Sequence, residues 1–102
     1  MAKVLVVDDD PDWCLVASSV LGTVGYAVRV VNDEHEVGVD DLFWADALLL
    51  DWSLTTGTGE RLFHEARANA RPPMVFIVSA AVREFDTGPL RLATVIDKAD
   101  GM

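Results

Sequence analysis

Three features of the sequence predict an α/β fold built on a parallel sheet. The short apolar runs Val4–Val7, Ala47–Leu50 and Val75–Val78 lack polar alternation and read as strands buried on both faces. Stretches of helical period, apolar on one side, lie between such runs. The two kinds of segment alternate along the chain, which argues for helices layered on a parallel sheet through right-handed crossovers.

Val4–Val7 is the first predicted strand. Asp10-Pro11 then reads as an N-cap followed by proline at the first helical position. Trp13, Val16, Ala17, Val20, Leu21 and Val24 recur at helical spacing, and Gly25 is placed to end that helix. Tyr26–Val31 forms a second strand, with Val28 and Val30 on one face and Arg29 between them. Residues 32–43 are acidic and broken by Gly38, with room for one brief helix. Ala47–Leu50 is a third strand, ended abruptly by Asp51, and the Gly- and Thr-rich residues 55–59 follow as a loop. Thr58 caps a helix through Ala70, with Leu62, Phe63, Ala66 and Ala70 inward and Glu60, Arg61, His64 and Arg67 outward; Pro72-Pro73 stops it. Val75–Val78 is the fourth strand, ending at Ser79, and Ala93–Ile96 the fifth, ending near Asp97-Lys98. Residues 80–92 have some helical character, interrupted by Gly88-Pro89.

A chain of 102 residues, about half of them apolar, supports one buried core, so residues 1–102 are expected to form a single domain. Seventeen acidic against eight basic residues give a net charge of −9. That charge repels nucleic acid and anionic membranes, and no basic patch offsets it. Cys14 alone rules out an internal disulfide framework and suits a reducing compartment, the cytoplasm. Met1-Ala2-Lys3 leads straight into an apolar run far below the length of a signal-peptide core or membrane span. No repeat, linker or low-complexity tract is present.

In open parallel sheets, sites form beyond the carboxyl ends of the strands. Asp8, Asp9, Asp51, Ser79 and Lys98 each fall at such an end. The run from Asp8 to Asp12, taken alone, also fits a capped helix start stabilised by the helix dipole. With the first and third strands adjacent, however, Asp8, Asp9 and Asp51 converge, and a divalent cation relieves their repulsion. An all-oxygen donor set of a few carboxylates suits Mg2+, and no thiolate or histidine pair suggests zinc. Asp51 is then placed to act as a nucleophile toward phosphorus, with Lys98 and the Ser79 hydroxyl available to phosphoryl oxygens. His35 and His64 read as solvated side chains, and Trp13, Trp44 and Trp52 as packing residues.

Val6-Val7-Asp8-Asp9-Asp10-Pro11, Leu48-Leu49-Leu50-Asp51-Trp52, Val78-Ser79-Ala80 and Asp97-Lys98 together resemble the response-regulator receiver family, in the right order and over essentially the whole chain. The resemblance implies a doubly wound, flavodoxin-like five-stranded sheet of order 2-1-3-4-5. It implies that Asp51 takes a phosphoryl group from a sensor histidine kinase or phosphotransfer protein, with Ser79 and Lys98 assisting. It also implies that Asp9, Asp51 and the backbone carbonyl of Ser53 bind Mg2+ directly, with Asp8 helping through water. The domain would then switch contacts with a downstream protein partner, with no enzymatic turnover beyond its own phosphorylation and dephosphorylation. Gly59 and Ala80 match further family positions.

Three positions depart from that pattern. Thr55 and Ala99 stand where the family has proline, and a cis bond before Ala99 costs about 3 kcal/mol without one. Val95 occupies the place of the usual switch aromatic. The sequence reaches Met102 just past the lysine, where family members continue into a last helix. The expectation is a sheet missing that helix, its apolar face buried in a homodimer; the competing explanation is a sequence cut short of its natural end. Two other functions compete: a receiver-like interaction module that works without phosphorylation, and a Mg2+-dependent phosphatase using Asp8 and Asp10 as a paired motif.

Overall fold

The computed structural model describes residues 2–51, 60–79 and 94–97. Five strands, β1 (Lys3–Val7), β2 (Ala27–Val31), β3 (Ala47–Asp51), β4 (Met74–Ser79) and β5 (Thr94–Asp97), form one parallel sheet. Their order is β2-β1-β3-β4-β5, the predicted arrangement. Among the described residues three α-helices accompany them: α1 (Pro11–Thr23), α2 (Val39–Trp44) and α3 (Glu60–Ala68), with a 3-10 turn at Glu34–Glu36. The predicted features at residues 52–59, 80–93 and 98–102, including the Thr58 cap and the segment around Gly88-Pro89, lie outside the described residues.

Alternation along the central strands divides the core into two layers. Leu5, Val7, Leu48, Leu50, Val75 and Ile77 meet Leu42 of α2 and Leu62, Phe63 and Ala66 of α3. Val4, Val6, Leu49 and Val78 face the other way, toward Cys14, Trp13 and Leu21 of α1. β1 and β3 carry side chains buried on both faces, as their unbroken apolar runs require. β2 lies at the sheet edge and is only half-buried, which accounts for the arginine in its middle.

α1 begins as predicted. Asp10 is its N-cap, accepting from the N–H groups of Asp12 at 3.0 Å and Trp13 at 3.3 Å, and Pro11 follows at the first helical position. Its end is set by Gly25, whose φ of 97° falls in the left-handed region; Tyr26 N–H returns to the Leu21 carbonyl at 3.1 Å. The inward face of α1 differs from the predicted stripe. Cys14 and Ala17 are buried, whereas Val16, Val20 and Val24 are 55%, 40% and 65% exposed. A helix meets a flat sheet along a narrow line, so apolar residues spread over half its circumference cannot all be covered. Ala70 is likewise exposed, because α3 stops at Ala68. The acidic segment after β2 is more ordered than its composition suggested. Asp33 caps the 3-10 turn through His35 N–H at 2.9 Å, and Asp41 of α2 accepts from Gly38 N–H at 2.9 Å.

At the amino ends of the strands, Asp46 joins three of them. Its carboxylate accepts from Lys3 N–H at 2.8 Å and pairs with Arg71, while its own N–H donates to the Lys3 carbonyl at 2.7 Å and Met74 N–H donates to its carbonyl at 3.0 Å. The hydrogen bond from Lys3, aided by the Arg71 charge, holds the Asp46 carboxyl below its usual range. This junction fixes the strands at the end remote from the polar residues of interest. Among the described residues no helix is long and apolar enough to cross a membrane.

Candidate functional site

The register of the sheet decides which strand ends meet. Val7 is level with Val31 of β2 and with Leu50 of β3, and Asp51 is level with Val78 of β4. Asp8, one residue past β1, therefore stands beside Asp51, the last residue of β3. Asp8 is fully buried and Asp51 is 4% exposed, while Asp9 is half-buried. Each of the three offers a carboxylate oxygen, and these oxygens lie within 4.8 Å of one another.

The three consecutive aspartates are thereby separated in role. Asp8 turns into the pocket, its Oδ1 accepting Asp10 N–H at 2.9 Å. Asp9 contributes from the pocket's solvent side. Asp10 is exposed and directs its carboxylate at the start of α1. The helix cap is Asp10, whereas the carboxylates of Asp8 and Asp9 gather beside Asp51.

At 4.8 Å and an effective dielectric of about 20, each carboxylate pair repels by about 3.5 kcal/mol. Three such groups, two of them buried, could hold a cation. The donor set is oxygen only and small, which suits a hard ion that keeps several waters, Mg2+, better than a calcium cage. Cys14, buried nearby, directs its sulfur to the Asp8 carbonyl at 3.4 Å. His35 and His64 are exposed, as expected.

Ser79 is the last residue of β4 and stands level with Asp97, the last of β5, so its backbone lies at the same sheet end as Asp51. Ser53 and Lys98 lie outside the described residues. Asn32 escaped the sequence reading. It directly follows β2, and its Nδ2 donates to the Asp8 carbonyl at 2.9 Å. The signal available was its place: a side chain with donor capacity just past a strand end, beside the acidic pair.

A doubly wound sheet with an acidic pocket at the carboxyl ends of its central strands defines a class, and comparison with solved structures agrees with it. Response regulator protein TrrA of Thermotoga maritima, crystallised with Mg2+-BeF, matches at 21% identity and a TM-score of 0.82 over 96% of this chain and 87% of its own. The structure of the histidine kinase ThkA in complex with TrrA gives 20% identity and a TM-score of 0.83, over 100% of this chain and 90% of the matched one. A CheY-like response regulator receiver domain from Methylobacillus flagellatus gives 20% and 0.76, over 96% and 86%. The fold is that of response regulator receiver domains. No protein-family model matches the sequence, and no curated protein matches it significantly.

Proposed function

We propose that this chain is a single receiver domain of a two-component phosphorelay, accepting a phosphoryl group on Asp51. The observation that carries this reading is the convergence of Asp8, Asp9 and Asp51 at the carboxyl ends of adjacent strands. An Asp51 oxygen attacks phosphorus of a phosphohistidine; the P–N bond breaks as the P–O bond of an acyl phosphate forms, and the donor imidazole leaves with the electron pair and takes up a proton. Asp8, Asp9 and Asp51, with the Ser53 carbonyl, would hold Mg2+, which supplies charge neutralisation for the transferring group. The Ser79 hydroxyl and the Lys98 ammonium complete the site as donors to phosphoryl oxygens. TrrA, of the same fold, binds Mg2+-BeF and a histidine kinase, which supports both the ion and the class of phosphodonor.

The chain works as a cytoplasmic switch between protein partners, with no turnover beyond its own phosphorylation and dephosphorylation. Its charge of −9 speaks against nucleic acid and membrane surfaces. A second copy of the chain is one partner. Val16, Val20 and Val24 are exposed along one flank of α1, and the sequence from Trp13 to Val24 holds no charged residue, so two such flanks can meet without opposed charges. Light scattering showing a monomer at all concentrations removes this contact.

Incubation with Mg2+ and an acyl phosphate donor, read by intact mass, tests the main reading. One phosphoryl adduct is expected on the wild type and none on Asp51→Asn. Mg2+ binding without an adduct would favour an interaction module that works unphosphorylated, the reading supported by the departures at Thr55, Val95 and Ala99. Sustained phosphate release lost in Asp8→Asn but kept in Asp51→Asn would favour the phosphatase. Against that reading, Asp10 is occupied as the α1 cap.

A further inference from the structure

We propose that Asn32 is a positioning residue for the metal pocket, holding the peptide that joins Asp8 to Asp9; this rests on the Mg2+ reading above. The Asp8 carbonyl receives two side-chain donors from different elements: Asn32 Nδ2 at 2.9 Å, from just past β2, and Cys14 Sγ at 3.4 Å, from the first turns of α1. The two donors also touch each other, at 3.6 Å. On the other side of the same residue, Asp8 N–H donates to the Val31 carbonyl at 3.1 Å, continuing the β1–β2 ladder one step past the strands.

A peptide group is planar, so fixing the direction of its carbonyl fixes the plane and the two Cα atoms at its ends. Those Cα atoms carry the Asp8 and Asp9 side chains. Asn32 and Cys14 therefore set the spacing of two of the three carboxylates without touching the ion. Without the amide donor, the carbonyl can swing toward solvent at the partly open Asn32 side, and the Asp9 carboxylate moves with it.

Asn32 is exposed and outside both core layers, so its replacement leaves the fold standing. Groups that orient metal ligands from outside typically change affinity 10- to 100-fold when removed; Asn32 acts through backbone, and the expected loss in Asn32→Ala is about fivefold to tenfold. Mg2+ affinity is measured by calorimetric titration of wild type, Asn32→Ala and Cys14→Ala, beside thermal unfolding of each in EDTA. The proposal expects weaker Mg2+ binding in Asn32→Ala, a smaller loss in Cys14→Ala, and a metal-free Tm lowered by no more than one hydrogen bond accounts for, about 4–8 °C. A merely structural asparagine would lower Tm and leave the affinity of the folded protein within twofold of wild type, and that result overturns the proposal. Absence of Mg2+ binding by the wild type itself overturns the metal reading and this inference with it, and is told apart in the wild-type titration.

Discussion

Replacing Asp51 by asparagine removes one charge from the three-carboxylate cradle with little change of shape, and should stabilise the metal-free protein. Asp51 is 4% exposed and has two carboxylate neighbours within 4.8 Å, each repelling it by about 3.5 kcal/mol at an effective dielectric of about 20. Most of that is relieved by solvent at half-buried Asp9, by the Asp10 N–H on Asp8, by the other polar partners of the three carboxylates and by adjustment of the pocket, leaving a net gain of at most about 2 kcal/mol. For a chain of this size that corresponds to a Tm raised by up to about 10 °C in EDTA. Adding Mg2+ should reverse the ranking. With Mg2+ bound as proposed, the wild type would gain about 2.7 kcal/mol at a hundredfold excess over Kd, while the variant, short of one proposed ligand, would gain far less. Thermal unfolding at a series of Mg2+ concentrations reads both effects. An Asp51→Asn protein that melts lower than wild type in EDTA, or that follows Mg2+ with the wild-type slope, would refute the cradle as described.

Three further outcomes follow from the architecture. Leu48→Ala empties a fully buried position in the α2–α3 layer and should cost about 3 kcal/mol, seen as a lower urea midpoint at unchanged slope. Asp10→Ala removes the α1 cap and should cost about 1 kcal/mol while leaving Mg2+ affinity within twofold, since Asp10 directs its side chain away from the pocket; a large affinity loss in calorimetric titration would contradict that separation of roles. The Asp46 carboxyl is held below its ordinary value of 3.8 by Lys3 N–H and Arg71, so its contribution is present at neutral pH and lost as pH falls through the lowered value. Urea titrations from pH 7 to pH 3 should find wild type and Asp46→Asn furthest apart at neutral pH and converging in acid.

Much of the architecture was readable because buried parallel strands leave a local trace. Val4–Val7 and Ala47–Leu50 are apolar at every position, and each closes on an aspartate, so the strands and their polar ends are visible together. The Asp10-Pro11 cap was equally local. The outward side of α1 was not readable, because Val16, Val20 and Val24 have the same spacing as a buried stripe; only the position of the helix over β1 and β2 separates them. Nor was Asn32, whose partner is 24 residues away in sequence.

The sequence by itself determined the layered α/β class, the carboxyl-end placement of Asp8, Asp9, Asp51 and Ser79, and the chemistry those residue types could support, since each depends on composition and short-range period. The tertiary structure decided that β1 lies between β2 and β3 in a register that sets Val7 level with both Val31 and Leu50. Hydrogen-bonded register is a property of two segments at once. It brings Asp51 beside Asp8, leaves Asp10 outside on the helix, and carries Asn32 to the carbonyl between the two pocket aspartates.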